Sequence, residues 1–408
     1  MIVSMKINNY KGIEKEAIIN MKASNKIKRK INDCSYINDK TKLLKVIGLI
    51  GCNGSGKTST LLAIDTLQTF ISFPFRKKMK DDDEFVKYIS SMNEEELKKY
   101  LLKINTLNLG EQNINKSEEK TEIEIDLYIQ KKENNISGFY TYKLVYDKTY
   151  KNNGALLEKL TYRPKYEKRN IINLCSNKNI IESEIGTSIL YENNNISKKN
   201  KYIEYYKTFA DEILNNVDCI FYGTTIDIKD MLNNNRKEFI ELCNIADDKI
   251  INVTINENDD KGNLMFWNTN NKSLFFSQLS EGTKKIIILG CIIIKALKNN
   301  STLLIDELEL SLHPALVDFL IKLVTSKNEK NYTQLIFTTH SPLLAFTLQN
   351  DQLYFISNHN DNYFFSNIST AIKNKIITKD QNRQKAWIDD LLIKNPDRKK
   401  IESFIAKN

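Results

Sequence analysis

The chain has 408 residues, of which 41% are hydrophobic and 10% aromatic, so it can form two or three domains with a substantial core. Its formal net charge is +9 at pH 7, which is compatible with a polyanionic partner such as nucleic acid but also follows from a general richness in lysine. The longest apolar run, 286–294, is far shorter than a bilayer span, and residues 1–6 lack the pattern of a signal peptide. We therefore expect a soluble cytoplasmic protein without membrane association.

The spacing of cysteine and histidine residues excludes two further classes of protein. None of the six cysteines forms a C-x-x-C pair, and Cys52 and Cys291 fall in segments that are predicted to be buried. The three histidines, His313, His340 and His359, have no metal-ligand spacing with the cysteines. This pattern is typical of free thiols in a reducing compartment rather than of a disulfide framework or a zinc site.

The beginning of the chain alternates strands with loops and one helix. Residues 2–21 alternate weakly between apolar and polar and predict strands, whereas the lysine-rich stretch 22–42 predicts an exposed loop. The apolar run 43–50 predicts a buried strand, and the helix that follows it reaches about residue 70. One or two exposed helices are predicted within 76–104.

The middle of the chain contains a β-meander and then changes in character. In 121–130 the apolar residues alternate with acidic ones at a period of two, and two further strands follow. After residue 162 the apolar spacing becomes helical, first around Tyr202 to Leu214 and then in a helix predicted for Asp230–Asp247. This part predicts a compact helical insertion, since no sustained heptad pattern is present.

These changes in composition divide the chain into three predicted parts. The N-terminal part, 1–162, contains the first motif described below and the β-meander, and 163–250 is the mainly helical insertion. The C-terminal part, 251–408, returns to strands at 251–255 and 264–267 and contains the remaining motifs.

Residues 51–58 match the phosphate-binding pattern G-x-x-x-x-G-K-[ST] without a mismatch, between a predicted strand and a predicted helix. Backbone N–H groups of such a loop form an anion-binding nest at the helix N-terminus. Lys57 is therefore predicted to bind the β- and γ-phosphates of ATP, and Thr58 to bind Mg²⁺. The residues expected to contact the nucleotide here are Asn53, Gly54, Ser55, Gly56, Lys57, Thr58 and Ser59.

A second motif is the apolar strand 303–305, which ends in two acidic residues, Asp306 and Glu307. This is a Walker B pattern, in which Asp306 would hold Mg²⁺ and Glu307 would orient and polarise the attacking water. Taken alone, a buried strand that happens to end in acidic residues is an equally good interpretation.

Two further motifs flank Walker B in the sequence. Ser280 is a good N-cap for the helix that follows it, and Gly282 leaves free N–H groups in the first turn, so the two form a second predicted anion site. His340 follows the apolar strand 335–337, where it is placed to sense a γ-phosphate. The alternative interpretations are an ordinary capped helix and a structural histidine.

The order of these four motifs resembles the ABC-type ATPase head of the SMC and RecF group. It is more similar still to the AAA domain of prokaryotic ATPases that resemble the overcoming-lysogenisation-defect nucleases and the ATPases of phage-defence systems. The resemblance rests on 280–285, 305–314 and 334–342, and on the opening stretch 7–11. It implies an α/β P-loop NTPase fold, an ABC/SMC-like ATPase head with a β-meander subdomain and a helical insertion.

The resemblance also implies roles for individual residues. Ser280 and Gly282 match the signature that, in this family, contacts the nucleotide bound by the other protomer, and Ser311 lies near the D-loop position. His340 matches the switch histidine, so catalysis would depend on Glu307 and His340 together with the P-loop lysine.

The function that the resemblance implies is that of an ATP hydrolase that binds ATP and Mg²⁺ and forms a homodimer or higher oligomer through its ATP-bound heads. The chain ends too soon after His340 to hold a nuclease domain, so we expect a separate effector, a nuclease or a toxin, in anti-phage defence. The Q-loop glutamine is not recognisable, and Gln112 and Gln130 both remain open.

Three other functions compete with this one. A RecF-like ATPase would bind duplex DNA in repair, and a scaffold protein would bind ATP with negligible turnover, although the intact Walker B acids argue against the scaffold. A transport ATPase is disfavoured because its P-loop and signature are usually much closer in sequence than here. Nucleic-acid binding is left open by four basic runs, which are 22–30, 76–80, 163–169 and 383–400.

Overall fold

The computed structural model arranges the chain as two large β-sheets with helices packed on them. No helix among the described residues is long and apolar enough to cross a membrane. The described residues are 1–13, 15–25, 27–28, 30–38, 41–79, 120–130, 137–147, 157–164, 172–176, 208–220, 228–256, 263–327, 329–341, 343–359, 362–375 and 405.

The strands are numbered in chain order as β1 (Ile2–Asn8), β2 (Ala17–Asn20), β3 (Cys34–Asn38), β4 (Thr41–Leu44), β5 (Val46–Gly51), β6 (Lys120–Ile129), β7 (Gly138–Asp147), β8 (Leu157–Pro164), β9 (Ile172–Ser176), β10 (Val217–Ile220), β11 (Ile250–Ile255), β12 (Leu264–Asn268), β13 (Ser273–Phe275), β14 (Thr302–Ile305), β15 (Gln334–Thr339), β16 (Leu353–His359) and β17 (Asn362–Asn367). The helices are α1 (Lys57–Met79), α2 (208–215), α3 (Ile228–Asn234), α4 (Arg236–Ala246), α5 (Glu281–Asn299), α6 (Pro314–Val324), α7 (Leu344–Thr347) and α8 (Ile368–Lys373).

The central sheet has the strand order β10-β14-β15-β5-β16-β17, and all neighbours are parallel except β16 and β17. Every residue of β5, β14 and β15 is buried. Strands that are covered on both faces are near-continuous apolar runs, which is why the sequence signal for these three is strong. Because parallel strands end at the same edge, the segments that follow β5, β14 and β15 meet there.

Apolar side chains fill both sides of the central sheet. Ile47 and Leu49 of β5 and Ile336 of β15 belong to a core that is shared with the second large sheet. Val46 and Ile50 of β5 belong to the opposite core, which includes most of the buried face of α5. Alternate residues of one strand therefore hold the two halves of the molecule to the same sheet.

The second large sheet is antiparallel, with the strand order β2-β1-β6-β7-β8-β9. The predicted β-meander is confirmed as β6, β7 and β8. Its buried face carries the alternating apolar residues of these strands, and Tyr142 of β7 stacks on Phe209 of α2 with ring centroids 5.0 Å apart. The strands predicted within 2–21 are confirmed as β1 and β2, which extend this sheet at one edge.

The described part of 163–250 is helical over most of its length, in α2, α3 and α4, but it also contains strands. It includes β9, which extends the antiparallel sheet, and β10, which forms the edge of the central sheet beside β14. β10 has only four residues, and its buried side chains, Val217 and Ile220, do not alternate, so it gives no period-two signal. Helical spacing does occur in α2, where Phe209 and Ile213 are buried.

Two other predicted elements are divided in the structure. The helix predicted for Asp230–Asp247 is broken into α3 and α4 at Asn235, whose backbone is not helical and which precedes α4 as its N-cap residue. The strand predicted for 43–50 is divided into β4 and β5 at Lys45. That lysine is fully buried, and its Nζ donates a hydrogen bond to the Lys327 carbonyl at 2.8 Å.

The exposed loop predicted for 22–42 is wrong in its second half. β3 lies within it and pairs with β4 as an antiparallel hairpin. The buried residues of β3 are Cys34, Ser35 and Ile37. The lysines that precede them make this stretch polar in composition, so the strand gives a weak signal in the sequence.

The strands predicted at 251–255 and 264–267 are confirmed as β11 and β12. Together with β13 they form a small antiparallel sheet, which leads directly into α5. The helices predicted within 76–104 lie outside the described residues, except that α1 extends to Met79.

Candidate functional site

The P-loop lies between β5 and α1, as the sequence predicts. Gly54 and Gly56 have φ angles of +74° and +98°, which glycine adopts at little cost. Gly51 is needed for a different reason, since a Cβ there would lie 2.3 Å from the Ile356 carbonyl oxygen and 2.5 Å from Ser55 Oγ. The glycines therefore fix the path of the loop against β16.

Lys57 begins α1 and is only 5% exposed. Its Nζ donates hydrogen bonds to the Gly51 carbonyl at 2.8 Å and to the Cys52 carbonyl at 2.7 Å. Burial lowers the pKa of Lys57 to about 8, although nearby acidic groups, including Asp306, act in the opposite direction. The Lys57 ammonium is therefore already largely desolvated within the loop.

The other P-loop residues fit an anion at the same place. Ser55 Oγ is buried, and no group in the described part of the chain hydrogen-bonds to it. A buried hydroxyl without a partner destabilises the fold by about 1–3 kcal/mol, which a phosphate oxygen would relieve. Asn53, Gly54 and Thr58 are exposed at the mouth of the loop, and Ser59 is half-buried.

The Walker B carboxylate is contacted from the first turn of α1 and from the end of β15. Thr58 Oγ1 lies 3.2 Å and 3.1 Å from the two Asp306 carboxylate oxygens. Thr338 Oγ1, at the end of β15, donates a hydrogen bond to the same carboxylate at 2.5 Å. Hydroxyl and carboxylate oxygens are the ligands that Mg²⁺ prefers, so Thr58 and Asp306 fit the metal position that the sequence predicts for them.

Glu307 has a left-handed backbone, with φ of +47°. Its N–H donates to Thr338 Oγ1 at 2.8 Å, and its carbonyl accepts from Lys285 Nζ at 2.8 Å and from the Leu310 N–H at 3.1 Å. A non-glycine residue in this region costs about 1–3 kcal/mol and persists only where its surroundings enforce it. Three contacts enforce it here, and all three are made by the Glu307 backbone, so they fix its main chain.

His340 is brought close to Glu307 at the same edge. Its Nε2 lies 4.0 Å from Glu307 Oε1, and both side chains are about one-third exposed. The His340 N–H donates to Glu309 Oε1 at 2.5 Å, and Glu309 Oε2 is buried with no hydrogen-bond partner among the described residues. Glu309 therefore positions the residue that follows β15 relative to Walker B.

The predicted signature packs against the segment that follows Walker B. Ser280 caps α5, and its Oγ accepts a hydrogen bond from the Thr283 N–H at 3.1 Å. A Cβ on Gly282 would lie 2.8 Å from the Ser311 carbonyl oxygen, so this turn packs closely on the segment after Walker B. In the described part of the chain, neither Ser280 nor Gly282 hydrogen-bonds to the P-loop. The signature turn can therefore contact another molecule.

Three residues of the site carry no role in the sequence interpretation. They are Thr338, Lys285 and Glu309, and each joins segments that are far apart in the sequence. Their only sequence signal is that each is polar and close to a predicted site residue. Of the two glutamines considered for the Q-loop, Gln130 is exposed after β6, and Gln112 lies outside the described residues.

The opening turn of the chain packs on the P-loop. A Cβ on Gly12 would lie 3.9 Å from the Gly54 carbonyl oxygen, and the buried Tyr10 hydroxyl is 2.8 Å from Thr66 Oγ1 of α1. Between them, Lys11 places its Nζ 5.6 Å from the centre of the Tyr10 ring. The turn thus packs Gly12 against the P-loop, and Tyr10 ties it to α1.

Comparison with protein families identifies the class of protein that this fold and site define. Residues 46–345, more than half of the chain, match the family described as "AAA domain, putative AbiEii toxin, Type IV TA system". The P-loop, the signature turn, Walker B and His340 all lie within the matched range. The chain belongs to this AAA family, and the predicted α/β P-loop fold class is confirmed. A search of curated proteins gives no match.

Several solved structures are similar to this chain. An SMC head bound to the C-terminal winged-helix domain of ScpA has a TM-score of 0.47 at 11% identity and covers 91% of this chain and 99% of its own. The SMC head domain of Thermotoga maritima has a TM-score of 0.41 at 13% identity, covering 90% and 98%. A Pyrococcus furiosus SMC head with an extended coiled coil, bound to the C-terminal domain of ScpA, has a TM-score of 0.41 at 10% identity, covering 92% and 98%.

The burial of Lys57 predicts how ATP affinity depends on pH. With a pKa of about 8, its ammonium loses its proton as the pH rises through that value. Because phosphate stabilises the charged form, the Kd for ATP should be constant near pH 7 and rise by up to about tenfold per pH unit above pH 8. Calorimetric titrations between pH 7 and 9.5 measure this rise. Lys57→Arg, whose guanidinium stays charged, is the control, and an equal rise in both proteins would contradict the assignment.

Proposed function

We propose that the protein is a cytoplasmic ATP hydrolase that dimerises when it binds ATP and Mg²⁺, and that the dimer regulates a separate effector in anti-phage defence. The observation that carries the proposal is the convergence of the P-loop helix and the end of β15 on Asp306 at the end of β14. Thr58 of α1 and Thr338 of β15 both contact this carboxylate, Glu307 is the next residue of the chain, and His340 lies 4.0 Å from Glu307. Such a convergence is what positioning and electrostatic catalysis of phosphoryl transfer require.

Each residue has a distinct role in this reaction. The backbone of 52–56 and the Lys57 ammonium bind the phosphates, and Thr58 and Asp306 would hold Mg²⁺, which neutralises charge on the phosphate oxygens. Glu307 orients a water molecule in line with the γ-phosphate and accepts its proton. His340, 4.0 Å from Glu307 Oε1, donates a hydrogen bond to the γ-phosphate or to that water.

The proposed dimer follows from the position of the signature turn. Ser280 and Gly282 lie beside Walker B but make no hydrogen bond to the P-loop in the described residues. In the related heads that the sequence resembles, this turn contacts the nucleotide of the other protomer. Two chains that face each other would complete two sites, so ATP would shift the monomer–dimer equilibrium toward the dimer.

The effector is proposed to be a separate protein. The motifs described above account for the ATP site alone, and the resemblance to phage-defence ATPases suggests that hydrolysis restrains or releases a nuclease or a toxin. A tagged Glu307→Gln protein, purified from its native host in Mg-ATP and analysed by mass spectrometry, should carry a stoichiometric small protein. A bait that is recovered alone, or with nucleic acid only, would contradict the effector role.

The dimer itself can be tested by light scattering. The Glu307→Gln variant should have the mass of a monomer, 47.4 kDa, without nucleotide and twice that mass in saturating Mg-ATP. The matched control combines Glu307→Gln with Ser280→Arg, which places a bulky cation at the signature turn and should stay monomeric. An unchanged monomer mass of Glu307→Gln in ATP would contradict the proposal.

A further inference from the structure

We propose that a cleft at the opposite edge of the central sheet binds single-stranded nucleic acid. The cleft holds a cavity of about 450 Å³, lined by Ile31, Tyr36, Gln130, Glu329, Lys330 and Tyr332. This volume is in the range of ligand-binding pockets. The site does not depend on the proposed ATPase activity, because none of these residues belongs to the nucleotide site.

The cleft and the ATP site lie at opposite ends of the same strand. Tyr332 comes just before β15, and His340 follows its last residue. A six-residue strand at about 3.3 Å per residue separates the two ends by roughly 20 Å. A ligand in the cleft would therefore leave the P-loop accessible, and the two sites can be tested separately.

Hydrogen bonds to backbone carbonyls fix the segments that carry the two tyrosines of the cleft. The walls of the cleft are therefore preorganised for a ligand. The Tyr36 N–H donates to the Glu329 carbonyl at 3.2 Å, and Ser35 Oγ donates to the Asn331 carbonyl at 2.7 Å. These bonds tie β3 to the segment that carries Tyr332. Both tyrosine side chains are partly exposed, which leaves ring surface for a ligand.

From Tyr332 the aromatic ring contacts continue through the buried Tyr128 to Phe139, across the junction of the two large sheets. The Tyr332 and Tyr128 rings lie 6.1 Å apart, and the Tyr128 and Phe139 rings 5.2 Å apart. The guanidinium carbon of Arg163 lies 4.7 Å from the centre of the Phe139 ring. We call Tyr36, Tyr332 and Phe139, which are partly exposed, the aromatic strip.

Cations flank the aromatic strip at both ends. Lys42 Nζ lies 4.7 Å from the centre of the Tyr36 ring, and Arg163 covers Phe139 at the far end. A third cation, Lys330, lines the cavity and is exposed. Basic groups that alternate with aromatic rings bind single strands, since bases stack on the rings while phosphates pair with the cations.

The same features exclude a duplex as the preferred ligand. Bases in a duplex are stacked on one another and cannot enter a cavity between tyrosine rings, whereas a single strand offers them freely. The Gln130 amide and the Glu329 carboxylate can hydrogen-bond to the edge of an inserted base. Because stacking accepts every base, we expect little sequence preference.

The test is fluorescence anisotropy with labelled, mixed-sequence single-stranded DNA and RNA of about 20 nucleotides, in EDTA and without ATP. Replacing both Tyr36 and Tyr332 by Ala should weaken binding at least about tenfold, whereas replacing both by Phe, which keeps the rings, should leave the Kd within about twofold. Phe275→Ala, at an exposed aromatic residue of β13, is the matched control and should bind as the wild type does.

A second pair of variants avoids any loss of stability at the tyrosines. Lys42→Gln and Arg163→Gln each remove one phosphate contact, so each should lower the slope of log Kd against log salt by somewhat less than one. The ATP-site variant Lys57→Ala should bind the oligonucleotides normally, which separates this proposal from the proposed ATPase. The proposal is overturned if the wild type shows no saturable binding. It is also overturned if the double Ala variant binds as tightly as the wild type, or if duplex competes as well as single strand.

Discussion

We expect Glu307→Gln to lower the rate of ATP hydrolysis by at least about 100-fold while the affinity for ATP stays nearly unchanged. The substitution keeps the size of the side chain and leaves the backbone contacts of Glu307 with Thr338 and Lys285 intact. What it removes is the carboxylate that can accept a proton from water, next to His340. Phosphate release in Mg-ATP measures turnover, and calorimetry measures binding.

The control for this variant is Glu241→Gln, which makes the same chemical change on the exposed surface of α4. It should hydrolyse ATP at the wild-type rate. If Glu307→Gln retained more than about a tenth of the wild-type rate, Glu307 would not act as the base, and another group would have to orient the water.

The second large effect is expected at the P-loop. Lys57→Ala should weaken ATP binding about 10- to 100-fold, because a buried ammonium that contacts phosphate contributes a charge-assisted hydrogen bond in a site shielded from water. Turnover at saturating ATP should fall as well, because the Lys57 ammonium would stabilise the negative charge that develops on the γ-phosphate in the transition state. Titration with ATP measures the first change, and phosphate release measures the second.

The loss of Lys57 also leaves the Gly51 and Cys52 carbonyls without its Nζ, so the melting temperature of the variant has to be compared with that of the wild type. Lys237→Ala, at an exposed lysine of α4, is the matched control and should bind ATP normally. Unchanged ATP affinity in a folded Lys57→Ala protein would refute the assignment of 51–58 as the phosphate site.

The parts of the site that could be predicted from the sequence are those encoded locally. The P-loop is a contiguous motif between a strand and a helix, and Asp306 and Glu307 directly follow a buried strand, so their placement at one edge follows from the parallel sheet. The N-cap role of Ser280 is equally local, since its hydroxyl bonds within its own first turn.

The parts that could not be predicted depend on contacts between distant segments. Lys285 lies about one turn into α5, and only the fold brings its Nζ to the Glu307 carbonyl. Thr338 looks like any threonine in a buried strand, although it bonds both to Asp306 and to the Glu307 N–H. Pattern reasoning cannot distinguish such polar residues from ordinary ones.

The strands divide in the same way. Those with a strong apolar pattern of their own could be predicted, and those that depend on a distant pairing partner could not. β5, β14 and β15 are apolar throughout and were predictable, except that the buried Lys45 separates β4 from β5. β10 and β3 were missed because each is short and lies in a polar part of the sequence. Their pairing partners, β14 and β4, stabilise them more than their own composition does.

The central claim, that two chains share each ATP site, is tested most directly by mixing two inactive variants. One carries Lys57→Ala and the other Ser280→Arg, and neither should hydrolyse ATP alone. In an equal mixture, only mixed dimers would contain a complete site, one where the wild-type dimer has two, so activity should return to at most about half of the wild-type level. Lys57→Ala mixed with Glu307→Gln should recover nothing, because both residues serve the same half of a site. No recovery in the first mixture, with both proteins folded, would contradict the shared site.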